Sequence, residues 1–89
     1  MSRKYAKKVD DNQKDIVSAL RKVGCSVIIL NDTIDLLVGR HGKTYLLEVK
    51  NREGRNSPTS SQKKLFEEWC GGPLMYVRSA EEAIAAVTR

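Results

Sequence analysis

Three features of this 89-residue sequence predict an α/β fold with the element order αβββαβα. Apolar residues recur at helical spacing ahead of Gly24, three short β-prone runs follow between residues 25 and 49, and a helix, a strand and a helix fill the rest.

In the first helix, expected over about residues 11 to 23, Asn12, Ile16, Ala19, Leu20 and Val23 share one face. Asp10, Asp11 and Asp15 suit its positive start, and Gly24 is placed to end it in a left-handed turn. Residues 1 to 9 show no apolar periodicity and read as a basic, flexible arm, which leaves residues 10 to 89 as the domain. Cys25 to Leu30, Ile34 to Gly39 and Thr44 to Val49 are rich in Val, Ile, Leu and Tyr and read as consecutive strands. The short His41-Gly42 turn makes the last two an antiparallel hairpin, because parallel neighbours need a crossover of a dozen or more residues. Turn chemistry accounts for His41, the sole histidine, better than catalysis does.

Residues 51 to 58, NREGRNSP, form a polar loop. A second helix follows, capped by Thr59 or Ser60, with Leu65, Trp69 and Phe66 as its apolar stripe, Phe66 and Trp69 expected in the core, and Gly71-Gly72-Pro73 as its stop. Leu74 to Val77 is a fourth strand. Ser79 with Glu82 reads as a capping box opening the last helix, through Ala83, Ile84 and Val87.

Composition restricts the function. A chain this short supports one core, and 40% apolar with 30% charged residues suits a globular domain rather than a disordered one. Cys25 and Cys70 lack zinc or disulfide spacing and are expected as reduced, partly buried thiols. No apolar run approaches a membrane span and no signal-peptide pattern is seen, so a cytoplasmic location without membrane attachment is expected. The net charge of +5 favours a polyanionic partner. Lys4, Lys7 and Lys8 near the N-terminus, with Arg52 and Arg55 in the polar loop, are the candidates for gripping phosphates; a solubilising tail and a solvated loop are the plainer alternative.

Strand alternation puts Glu48 and Lys50 on one face, opposite Tyr45, Leu47 and Val49. The tight turn returns the chain so that Asp35 lies opposite residues near 48. Two carboxylates and one ammonium thus converge from adjacent strands. Such an oxygen-rich set suits Mg²⁺, and the chemistry it points to is phosphodiester hydrolysis, with Lys50 orienting or deprotonating water or stabilising charge on phosphorus. An exposed Glu48–Lys50 ion pair is the alternative.

The segment IDLLVGRHGKTYLLEVKNREG resembles the P-D…(D/E)-x-K hairpin of the PD-(D/E)XK phosphodiesterases, with Ile34-Asp35 for Pro-Asp and Glu48-Val49-Lys50 as the triad. DDNQKDIVSALRKVG and TSSQKKLFEEW are similar to the first and second helices of small phage and bacterial VRR-NUC-type and Holliday-junction-resolvase-like members. The resemblance implies a restriction-endonuclease-like αβββαβ core, a small mixed sheet flanked by helices, with a C-terminal helix added. It implies that Asp35, Glu48 and the Val49 backbone carbonyl hold Mg²⁺, with Mn²⁺ able to substitute, and that Lys50 is the catalytic lysine. Asn12 stands where many relatives carry a metal-binding Glu, and like Asp10 and Asp15 it also suits helix capping. Gln62 matches a glutamine that relatives use near the metal or phosphate, while Thr59-x-x-Gln62 is itself a capping box.

The expected function is a metal-dependent DNA endonuclease selecting flaps, forks or junctions by shape, in a homodimer; the alternative is a non-catalytic nucleic-acid-binding module on the same fold.

Overall fold

A computed structural model describes residues 2–51 and 58–89, with the backbone alone described for residues 2–10. The elements are α1 (Ser2–Lys22), β1 (Ser26–Ile29), β2 (Leu36–Arg40), β3 (Lys43–Val49), α2 (Ser60–Glu68), β4 (Leu74–Val77) and α3 (Ala80–Thr88). This is the order that periodicity and turn residues predict. The four strands form one sheet in the order β1-β2-β3-β4, with β1, β2 and β3 antiparallel and β4 parallel to β3. A mixed sheet results, and α2 supplies the crossover that the parallel pair requires.

The hairpin turn has His41 at φ 50° and Gly42 at φ 79°. Two successive left-handed residues define a type I′ turn, whose twist matches that of the flanking strands and fixes their register. At the end of α1, Gly24 adopts φ 95°; its N–H donates to the Arg21 carbonyl and the Cys25 N–H to that of Leu20. This is a Schellman motif, and it aims the chain directly into β1.

One face of the sheet carries Val27, Leu36, Val38, Tyr45, Leu47, Val49 and Val77. These pack against Ile16, Val17 and Leu20 of α1 and Ala83, Ala86 and Val87 of α3. The opposite face meets α2, where Phe66 stacks on Tyr76 with ring centroids 4.4 Å apart. Leu47 lies on an interior strand and is fully buried. Leu47→Ala is expected to cost about 2–5 kcal/mol by removing contacts and leaving a cavity, read from the urea unfolding midpoint.

Four details depart from the sequence reading. The basic segment expected as an arm continues α1 back to Ser2; it contains no Gly or Pro and is rich in Lys, Arg and Ala, which propagate a helix without an apolar stripe. Trp69 is not core: it is the C-cap of α2 with extended backbone angles and is 42% exposed, and Phe66 is half-buried against Tyr76 outside the core cluster. Cys25 is buried, but Cys70, just past that cap, is exposed; both are free thiols. Ser79 caps α3, but Glu82 reaches back to the Arg78 N–H. Among the described residues no helix is long and apolar enough to cross a membrane.

Candidate active site

The β2–β3 register pairs Leu36 with Leu47, which places Asp35, one residue ahead of β2, opposite Glu48. The two carboxyl groups therefore share the face that α2 partly covers. Asp35 Oδ2 accepts a 2.9 Å hydrogen bond from the Val49 N–H, which fixes it against the end of β3. The Val49 carbonyl leaves the strand on the same edge as its N–H, as both groups of a strand residue do.

Glu48 and Lys50 are buried, at 6% and 5% exposure, so this is not the exposed ion pair of the alternative reading. Their charged atoms lie 3.7 Å apart. Gln62 joins them: its Oε1 accepts from Lys50 Nζ at 2.9 Å, and its Nε2 donates to Glu48 Oε2 at 2.6 Å and to the Thr33 carbonyl at 3.2 Å. These neighbours fix the amide orientation, since the reverse would set Nε2 against an ammonium and Oε1 against a carboxylate. The same Oε1 accepts from the Thr59 N–H, while Thr59 Oγ1 accepts from the Gln62 N–H. Capping and bridging, alternatives in the sequence, are therefore one arrangement, in which the capping box of α2 holds the glutamine over the Glu48–Lys50 pair.

Other residues support this centre. Asn12 is buried, and its Nδ2 donates to the carbonyls of Lys50 and Arg78 at 2.8 and 3.0 Å, which ties α1 to the ends of β3 and β4. That strut accounts for a polar residue on the apolar face of α1. Tyr76, paired with Glu48 across β3 and β4, places its ring 5.1 Å from Lys50 Nζ, within cation–π range. Tyr76 escaped sequence reasoning because the register of a parallel strand reached through a helix leaves no local signal, and Thr33 because it contributes only a backbone carbonyl, which no residue type marks.

Burial dominates the electrostatics. It pushes the Glu48 carboxyl up to about 7, the neighbouring Asp35 carboxylate pushes the same way, and the amide of Gln62 and the Lys50 charge only partly oppose them. Asp35 is also raised, chiefly by burial, against the hydrogen bond from Val49. An acid whose pKa is higher folded than unfolded binds more protons in the folded state, so its contribution to stability is lost as pH rises. The metal-free protein is therefore expected to lose stability between about pH 4.5 and about 7, the ordinary and folded values for Glu48. Thermal melts in chelator across this range test it, and a rising profile would contradict it.

Glu48 Oε1 is buried with no hydrogen-bond partner. A carboxylate oxygen so placed is costly unless a cation meets it. Among the described residues no group of three or more His, Cys, Asp or Glu side chains could hold a metal. Mg²⁺ is commonly held by one or two carboxylates and keeps several waters. The pair Asp35 and Glu48, with the Val49 carbonyl, fits that requirement.

Not every candidate joins the site. His41 lies in the exposed turn at the far end of the hairpin. Arg52 and Arg55, and the side chains of Lys4, Lys7 and Lys8, lie outside the described residues. Comparison with family models, with curated proteins and with solved structures finds no match for this chain.

Proposed function

We propose that this chain is a metal-dependent phosphodiesterase of the PD-(D/E)XK type, with a restriction-endonuclease-like core, that cuts DNA. The observation that carries the reading is the buried Glu48–Lys50 pair, with half-buried Asp35 beside it on the same sheet face and Gln62 of α2 laid over it, and with Glu48 Oε1 left without a partner. Two repelling acids and a lysine withdrawn from water cost stability unless a ligand makes use of them.

Asp35, Glu48 and the Val49 carbonyl would hold Mg²⁺ or Mn²⁺, which when bound polarises the scissile phosphate and acidifies a coordinated water. Lys50 supplies the ammonium that donates to the phosphate oxygens as their negative charge grows. Gln62 holds that ammonium in position from the capping box of α2 and orients the Glu48 carboxylate at the same time. Water adds to phosphorus, one ester P–O bond breaks, and the departing oxygen leaves as a hydroxyl.

The net charge of +5 supports a nucleic-acid substrate held through its phosphates rather than its base edges. A domain this small has little surface for reading sequence, which favours selection of flaps, forks or junctions by shape. A homodimer would present two such sites to a two-fold-symmetric substrate, and a cytoplasmic location suits both DNA and reduced thiols.

The test is a cleavage panel of flap, fork, four-way-junction and linear DNAs, with RNA counterparts, in Mg²⁺, Mn²⁺ and chelator, run beside Glu48→Ala. Cleavage by the wild type with either metal, absent in chelator and in the variant, is the expected result. Binding without cleavage of any substrate would instead identify a non-catalytic nucleic-acid-binding module.

A further inference from the structure

On the sheet face that carries Glu48 and Lys50, α2 stops short of the hairpin end. The uncovered part is a groove of about 290 Å³ lined by Leu37, Thr44, Leu46, Trp69, Gly72 and Pro73. It lies at the lower end of the roughly 300–1,000 Å³ range of ligand clefts, which is room for one planar ring.

Trp69 is 42% exposed yet firmly held. Its Nε1 donates to the Gly72 carbonyl at 2.6 Å. The indole also lies so close to Gly71 that a Cβ built there would fall 2.6 Å from Cζ2. An exposed indole fixed by a hydrogen bond and packed against bare backbone can receive a planar partner without losing rotamer freedom on binding. Leu46 and Glu48 are two residues apart on one face of β3, so the groove begins about 7 Å along the strand from the carboxylates. That is within reach of a nucleotide whose neighbouring phosphate occupies the site.

We propose that this groove is a stacking subsite for one unpaired nucleobase of the DNA strand being cut. The inference rests on the phosphodiesterase reading and deepens it, because an unpaired base next to the scissile phosphate occurs in flaps, forks and frayed ends but not inside a paired duplex. Stacking on an aromatic platform is tolerant of sequence, since every base offers a π-face. Leu37, Leu46 and Pro73 provide the apolar floor on which an unstacked base regains burial.

Trp69 is the sole tryptophan, so its fluorescence reports the subsite directly. Wild-type protein in chelator is titrated with a ten-nucleotide oligothymidylate and with a blunt duplex of equal length, and affinities are measured in parallel by anisotropy of labelled DNA. Saturable quenching by the single strand is expected, with weaker quenching by the duplex. Trp69→Ala should bind the single strand roughly tenfold more weakly, and Trp69→Phe within about threefold of wild type. Gly71→Ala, which displaces the indole without removing it, should weaken binding as Trp69→Ala does, and it serves if the alanine variant fails to fold. Binding without quenching, equal quenching by the duplex, or unchanged affinity in both Trp69→Ala and Gly71→Ala would overturn the subsite. The titration needs neither metal nor cleavage. Quenching by an inactive protein would therefore refute the enzyme reading alone, and an active nuclease indifferent to Trp69 would refute the subsite alone.

Discussion

Lys50→Ala is expected to lower single-turnover cleavage by roughly 10³-fold, the loss typical when one positioned charge or proton-transfer group is removed from a reacting centre. Lys50 is buried against Gln62, Glu48 and the Tyr76 ring, so no solvent-exposed lysine can swing in to replace it. Lys50→Arg should be nearly as inactive. The planar guanidinium is longer and forked, and a pocket in which Gln62 Oε1 sits 2.9 Å from a single ammonium does not accommodate it. Substrate affinity in chelator should be nearly unchanged in both variants, because one buried ammonium contributes little to a phosphate grip spread over many surface charges. A fall in affinity matching the fall in rate would show that Lys50 binds DNA rather than acting on it.

Glu48→Gln should move stability and activity in opposite directions. At pH 8 the wild-type carboxylate is ionised in a buried position beside Asp35, with its pKa raised from 4.5 to about 7. Removing that charge is expected to raise the metal-free stability by about 1–3 kcal/mol, taking about 1.36 kcal/mol for each unit by which the pKa is raised and discounting for the imperfect fit of the new amide. Cleavage should disappear, because a neutral amide is a poor ligand for a hard cation. Mg²⁺ should raise the melting temperature of the wild type and leave the variant's unchanged, since only a ligand that binds the folded state stabilises it. Urea titrations at pH 8 with and without Mg²⁺ check both halves. A variant less stable than wild type in chelator would show that Glu48 serves the fold as the partner of Lys50, and not a cation.

Counting back from the His41-Gly42 turn puts Asp35 opposite residues near 48, and the type I′ turn that forms there sets the pairing at Glu48. Alternation then assigns Leu47 and Val49 to the core and Glu48 to the other face. Local signals also locate the C-terminus of α1 and the N-terminus of α2, because Gly24 and Thr59 act through their own backbone neighbours. What the sequence conceals is set by contacts across the fold. Trp69 follows Leu65 at helical spacing, yet α2 ends there, and the exposed indole answers to Gly71 and Gly72. The reach of α1 back to Ser2 rests on helix propensity, which leaves no apolar stripe to follow. Asn12 looks like a cap or a ligand until the carbonyls of Lys50 and Arg78, 38 and 66 residues away, are brought to its amide.

The central claim is that Asp35 and Glu48 together hold a divalent cation. Calorimetric titration of Mn²⁺ into the metal-free protein at pH 8, beside Asp35→Asn, tests it most directly. The arrangement predicts a saturable heat for the wild type that Asp35→Asn abolishes while remaining folded. A wild type that takes up no Mn²⁺, or a variant that takes it up equally well, would contradict it.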